Sequence, residues 1–311
     1  MVSVYFDNLM LQESDLAEAL IAHGYVIIRK CYKRKDFLDI AEMLGGIQGH
    51  ARADVSGVVG DGSSASEDWK EAEDEYIGTL EGELKPHTDG AYLNGLTWKN
   101  GSLGRVLPPA LVAIQCVEQA GYGGENVLID LQPVTKSLLS EDPDVFNILS
   151  TRGAASFCRD DQIAVDLSIF DEVEKGRFYV RYNSDRFMYL PDWSRKAVSY
   201  LNEQYIQNHT YRIPIRLDYG EVLLIDNTRM LHSRNSFKLT TKQTSRKIRR
   251  LWILNHNFDR LNNLDRVEAS HRSLDHFTAY LPVEKSISTS SSSKLFDFQK
   301  KLGIKLLGYQ L

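Results

Sequence analysis

From Pro108 onward the chain is a succession of short apolar runs. "ALVAIQCV", "NVLIDL", "RFYVRYN", "YRIPIRL", "EVLLIDN" and "RRLWILNHNF" are rich in β-branched and aromatic residues, and Gly, Pro, Asn or Asp bound them. Runs of this length and make-up predict strands. Helical patterns interrupt them only at about 133–150 and 193–208. A doubly wound fold needs strand and helix to alternate throughout, whereas many strands with turn punctuation build a sandwich or a barrel. At 311 residues the chain is within range of one large β-rich domain. The expected class is therefore mainly β with flanking helices.

The first fifty residues differ. "SDLAEALIAHG" predicts a helix with Ser14 as cap and Gly24 as stop, "YVIIRK" a buried strand, and "KDFLDIAEMLGG" a second helix ended by Gly45-Gly46. Residues 51–82 are rich in Gly, Ser and acids and predict a mobile surface loop. A loop that long in a compact protein is often functional, for example a lid. At the far end, "SISTSSSS" has the composition of a linker, and "KLFDFQKKLGIKLLGYQL" could form an amphipathic helix. The division expected is one domain over 1–283, then a Ser-rich linker and an amphipathic segment over 284–311. That segment could dock on the body or on another subunit, a route to a homo-oligomer.

Composition narrows the partners. A net charge of −5 argues against nucleic acid or an anionic membrane as the main partner. No apolar run reaches the roughly 18 residues of a spanning helix, and the first residues have no basic start followed by an apolar core. Cys31, Cys116 and Cys158 are odd in number and far apart, as in a cytoplasmic protein with reduced thiols.

The chemistry-bearing pattern begins at "PHTDGAY", where His87 and Asp89 stand two apart. With 8 His and 42 acids in the chain, chance alone supplies about one such pair. Two other stretches give it meaning. "EVLLIDNTRMLHSRNSF" carries His232 just after a buried strand, and "SRKIRRLWI" carries Arg246 and Arg250. On a strand Arg246, Ile248 and Arg250 share one face, and Lys247 and Arg249 the other. Two imidazoles and one carboxylate form the facial set of non-haem Fe(II) oxygenases, which leaves positions open for co-substrate and O2. A co-substrate such as 2-oxoglutarate chelates iron at its keto acid end. Its far carboxylate needs a buried cation, which the planar fork of Arg suits best.

These stretches, with "GYVIIRK" and "PPALVAIQCVEQAGYGGENVLID", resemble the TauD/TfdA family of Fe(II)/2-oxoglutarate dioxygenases, in its clavaminate synthase-like group. The resemblance covers roughly residues 13–258. It implies a double-stranded β-helix core of the jelly-roll kind. It implies that His87, Asp89 and His232 bind Fe(II) and carry catalysis. Arg246 matches the family's 2-oxoglutarate arginine, and Arg250 a position that can face co-substrate or substrate. Where the family commonly has Thr, "GGEN" places Asn126, whose amide can donate the same hydrogen bond. The activity implied is hydroxylation, desaturation or cyclisation of a small molecule, an amino acid or natural-product intermediate, with release of succinate and CO2. Related halogenating enzymes carry Gly or Ala at the place of Asp89, so the resemblance implies oxygenation. Thr88, between the two ligands, should point away from them and tolerate Ser or Val.

Other readings stay open at this point. Arg181, Tyr182 and Arg186 in "VRYNSDRF" could reach a substrate carboxylate or be surface charges. The loop 51–82 and the stretch 154–209 could cover the pocket. Glu67, Asp68, Glu71, Glu73, Asp74 and Glu75 point weakly to a cationic substrate, a solvated acidic loop being the ordinary alternative. "SRKIRR" alone could be a basic edge or an adaptor patch. A jelly roll that only binds a metal and a ligand, or uses zinc hydrolytically, is the main rival to an oxygenase. His23, His50, His209, His256, His271 and His276 have no matching partner and receive no role.

Overall fold

The computed structural model describes residues 4–253, apart from 49, 51–52, 55, 61–81, 94, 100–101, 107, 160–161, 175, 186 and 240–245. The acidic residues 67–75, Arg186 and the proposed C-terminal linker and amphipathic segment lie outside this description.

Two sheets form the body. The larger has the strand order Tyr5–Asp7, Tyr25–Arg29, Val222–Asp226, Leu111–Glu118, Lys247–Ile253 and Ile47–Gln48. The smaller runs Arg212–Ile215, Asn126–Asp130, Met230–Arg234 and Leu84–His87. All these pairings are antiparallel except the first, where Tyr5–Asp7 lies parallel to Tyr25–Arg29. Strands far apart in sequence are neighbours, and consecutive strands such as Val222–Asp226 and Met230–Arg234 lie in different sheets. This is a jelly roll, the fold class expected from the strand pattern.

The apolar runs are continuous because the larger sheet is buried on both faces. Ile27, Val112, Ile114, Leu223, Ile225 and Trp252 join the core that also holds Leu128, Ile129 and Leu231 of the smaller sheet. Their neighbours Val26, Ile28, Ala113, Leu224 and Leu251 face the other way, onto Leu16, Leu20, Phe37 and Ile40 of the first two helices. Period-two alternation thus feeds two separate cores from the same strands.

Local details depart from the sequence expectations. The first helix spans Glu13–His23 with Gln12 at its N-cap, so Ser14 lies inside it and caps nothing. Gly24 does end it, in the left-handed region at φ 76°. The helical stretch near 133–150 is two helices, Leu131–Glu141 and Pro143–Ser150. Pro143 suits the first turn of the second helix and could not continue the first. The expected mobile loop from 51 onward is, at its described start, packed. Val58 and Val59 are buried, Asp54 pairs with Arg34, and Val59 bonds the backbone of Arg250 in both directions.

Candidate metal centre

His87 is the last residue of the Leu84–His87 strand, and His232 is central in Met230–Arg234. The two are direct partners in the antiparallel ladder. Directly opposed residues project to the same face, and the ring centroids lie 4.4 Å apart. Asp89 follows two residues later, where the chain leaves the strand. Its Oδ1 lies 3.4 Å from His87 Nε2 and 3.5 Å from His232 Nε2. One ligand atom from each of the three residues lies within 4.8 Å of the others. Ligands about 2.1 Å from a common ion at right angles sit roughly 3 Å apart, so the two distances from Asp89 need little contraction to close on a cation.

The protonation states fit that use. His87 Nδ1 lies 2.7 Å from the Lys85 carbonyl. A carbonyl only accepts, so Nδ1 carries a proton, and Nε2 is the nitrogen that faces Asp89. His232 is 3% exposed, and neither ring nitrogen has a hydrogen-bond partner. Burial and the neighbouring His87 push its pKa down, against the pull of Asp89, so the ring is neutral at pH 7. Burial alone would raise the Asp89 pKa. The Arg250 guanidinium counters it, and the carboxyl is held well below the usual carboxylate range. A carboxylate and two imidazoles facing one point have the donor types of a non-haem iron site. A bound cation would also give the buried His232 ring a partner, where leaving it without one is costly.

Two residues that carried no role in the sequence hold Asp89. Asn227 accepts from its backbone N–H at 2.8 Å, donates to its carbonyl at 3.0 Å and donates to the Pro109 carbonyl at 2.8 Å. Trp252 Nε1 donates to Asp89 Oδ2 at 2.7 Å. The signal for Trp252 was available: it is two past Arg250 on a strand and so shares its face. Asn227 carried none, because its partners are distant in sequence. Thr88, between His87 and Asp89, has a partner of its own. It is buried, and its Oγ1 accepts from Tyr182 N–H at 3.2 Å.

Arg250 lies in the site, with Nη1 donating to Asp89 Oδ1 at 3.2 Å. Arg246 is buried and donates through Nη2 to the Gly124 carbonyl at 3.3 Å. Lys247 is exposed, so the expected alternation holds here. It survives a register shift because the extra residue, Val117, belongs to the partner strand: Lys247 pairs with Glu118 and Ile248 with Cys116. Gly124 makes room for Arg246, whose Nε would stand 3.3 Å from an added Cβ. Asn126 is opposite Arg234 and His232 opposite Leu128, so Asn126 shares the face of His232 two residues along. That offset is about 7 Å, the reach of an extended five-carbon dicarboxylate. Asn126 Nδ2 is buried without a hydrogen-bond partner. Arg181 turns instead onto the backbone. Its Nη1 donates to the carbonyls of Ala91 at 3.3 Å and Leu93 at 3.0 Å, tying down the turn after Asp89.

Comparison with known proteins agrees with this geometry. The family model described as taurine catabolism dioxygenase TauD, TfdA family, matches residues 5–252. The chain belongs to the TauD/TfdA family. It is an Fe(II)- and 2-oxoglutarate-dependent dioxygenase, which sets aside the purely ligand-binding and zinc-hydrolase readings. Solved structures share the fold at low identity. The non-heme iron oxygenase OrfP with Fe, succinate and (3S)-hydroxy-L-Arg superposes with a TM-score of 0.57 at 15% identity, over 81% of this chain and 84% of that one. The same oxygenase with Fe and alpha-ketoglutaric acid gives 0.57 at 16% identity, over 81% and 83%. Asparagine oxygenase with Fe(II), 2S,3S-3-hydroxyasparagine and succinate gives 0.58 at 14% identity, over 78% of each chain. No helix among the described residues is long and apolar enough to cross a membrane, and none of the three cysteines forms a disulfide.

Proposed function

We propose that this TauD/TfdA dioxygenase oxidises a small molecule of the amino-acid class, with His87, Asp89 and His232 holding Fe(II). The observation that carries the metal assignment is the convergence of both His Nε2 atoms on Asp89 Oδ1. When bound, Fe(II) with 2-oxoglutarate supplies oxidising power from O2 as 2-oxoglutarate becomes succinate and CO2. The chain's own part is to bind, orient and keep water out. The two imidazoles and Asp89 would hold the metal. Arg246 and Asn126 grip the far carboxylate of 2-oxoglutarate, the arginine by charge and the amide through its otherwise orphaned Nδ2. Arg250, beside Asp89, is placed to meet either the co-substrate or a substrate carboxylate.

The amino-acid class rests on likeness and on place. OrfP and asparagine oxygenase were solved with hydroxylated amino acids. In this chain the stretch 154–209 borders the site through Tyr182, Asn183 and Ser184. Thr88 N–H donates to Tyr182 O, Asn183 bridges to His87, and Ser184 N–H donates to Pro86 O. We assign this stretch to one wall of the substrate pocket. Hydroxylation, desaturation and ring closure all begin with loss of a substrate hydrogen atom.

The test is an anaerobic titration with Fe(II) and 2-oxoglutarate. A metal-to-ligand charge-transfer band should appear, and the right amino acid should then shift it. Full iron loading without that band would refute the co-substrate assignment. A band that no amino acid perturbs would refute the substrate class alone. Succinate release coupled to O2 uptake completes the test.

A further inference from the structure

Asp89 has two carboxylate oxygens, and the structure gives them different surroundings. Oδ1 faces both imidazoles and Arg250, whereas Oδ2 accepts the indole N–H of Trp252 at 2.7 Å. Indole nitrogen is a donor only, with a single hydrogen. The bond is charge-assisted and dry, since Trp252 is 2% and Asp89 4% exposed. The indole is itself held. Its backbone pairs with Val112 on one side and Gln48 on the other, and the His50 ring packs edge-on against it at 4.3 Å.

From this arrangement we infer that Trp252 is a positioning residue that makes Asp89 a one-oxygen ligand. The inference rests on the metal-centre reading above. A carboxylate with both oxygens free can turn and chelate a cation through both. That would consume a position the facial arrangement leaves open for co-substrate and O2. With Oδ2 engaged by the indole, only Oδ1 is offered. Asn227 fixes the same residue's backbone and Arg250 meets Oδ1, so Trp252 is the group that engages the second oxygen. Groups that orient metal ligands in this way are worth roughly 10- to 100-fold in metal affinity.

Co(II) is a suitable probe because its visible spectrum reports coordination without turnover. Wild type should bind one Co(II) with the spectrum of a six-coordinate ion. Trp252→Phe keeps the ring and deletes the donor. It should bind Co(II) roughly 10- to 100-fold more weakly, with a changed visible spectrum, a cooperative metal-free melting transition serving as the check that the variant is folded. Unchanged affinity and spectrum in Trp252→Phe, with wild type binding normally, would overturn the inference and leave the metal centre intact. Failure of wild type to bind Co(II) would remove both. If Trp252→Phe does not fold, indole N–H resonances of wild type decide the matter. The four tryptophans are Trp69, Trp98, Trp193 and Trp252. Replacing each of the other three by Phe leaves the Trp252 resonance identified. It should exchange slowly with solvent and shift on adding Zn(II). An indole resonance indifferent to Zn(II) would overturn the inference.

Discussion

His87 and His232 stand directly opposite each other on adjacent antiparallel strands, one at the end of its strand and one in the middle. Because side chains alternate with period two, a one-residue slip would turn one imidazole to the opposite face. The pairing therefore supplies two of the three ligands of the proposed metal site, and Asp89 completes it from the turn that follows. Asp89→Ala should lose most metal affinity and nearly all turnover. Asp89→Glu should bind iron yet place it about 1 Å away, a displacement able to cost around a hundredfold in rate. Iron content after anaerobic reconstitution, with succinate formation alongside, checks both. Full loading and normal succinate release in Asp89→Ala would refute the site.

Arg246→Ala should cripple 2-oxoglutarate binding while nearly keeping iron affinity. A buried carboxylate that loses its charged partner costs roughly 3 to 5 kcal/mol, or about 200- to 5,000-fold. Arg246→Lys should recover part of this, because a point charge replaces a two-pronged donor. The apparent affinity for 2-oxoglutarate is the measurement. An unchanged value would shift the role to Arg250.

Asn227→Ala should harm both stability and metal binding. The Asp89 N–H and the carbonyls of Asp89 and Pro109 lose their side-chain partner in a dry site. Leaving a buried polar group unsatisfied costs about 1–3 kcal/mol, and a loosened ligand should lose roughly tenfold or more in metal affinity. Asn227→Asp should behave similarly, since an ionised carboxylate cannot donate to those carbonyls. Urea unfolding and Co(II) titration together test this. Loss of stability with normal Co(II) affinity would reduce Asn227 to a packing role.

Serine and valine should differ at Thr88, whereas the sequence expectation was that both would be tolerated. Serine keeps the hydroxyl that accepts from Tyr182 N–H at 3.2 Å. Valine has the right shape but leaves that buried N–H short of an acceptor, a loss of about 1–3 kcal/mol. Thermal unfolding of the two variants should differ accordingly. Equal melting temperatures would show that the hydroxyl contact is dispensable.

Asp226 gives a pH dependence with a defined sign. Burial raises its pKa, against hydrogen bonds from Thr228 and the charges of Arg229 and Arg177. An acid with a raised folded pKa binds its proton more readily when folded. Its ionisation therefore costs stability as pH rises from the ordinary value near about 3.9 through the raised one. Asp226→Asn removes that cost and keeps an oxygen for Thr228. The variant should be the more stable near pH 7, with the gap closing below about pH 4. A gap independent of pH would contradict the assignment.

Much of the fold was legible because burial on both faces writes itself as unbroken apolar runs. "VLLID" and "LVAIQCV" could hardly be anything but central strands. The cap at Ser14 misled because the helix begins at Glu13, with Gln12 at its N-cap. The break at Asp142–Pro143 could have been read, since proline cannot extend a helix. The packed start of the loop after 51 could not be read, because Val58 and Val59 are buried by partners remote in sequence, Val58 in the core under the first two helices and Val59 beside Arg250.

The class of fold, and the residue types able to serve a metal, were written in one dimension. Strand periodicity, turn residues and the spacing of His87, Asp89, His232, Arg246 and Arg250 are all properties of the linear chain. Which atoms meet was settled in three dimensions. Folding paired His87 with His232, closed Asn227 around Asp89 and brought Trp252 to its second oxygen. It also turned Arg181 onto the backbone of the turn after Asp89. The reason is that strand register and side-chain hydrogen bonding join residues that are remote in the chain. No local pattern records which distant partner will satisfy a buried polar group.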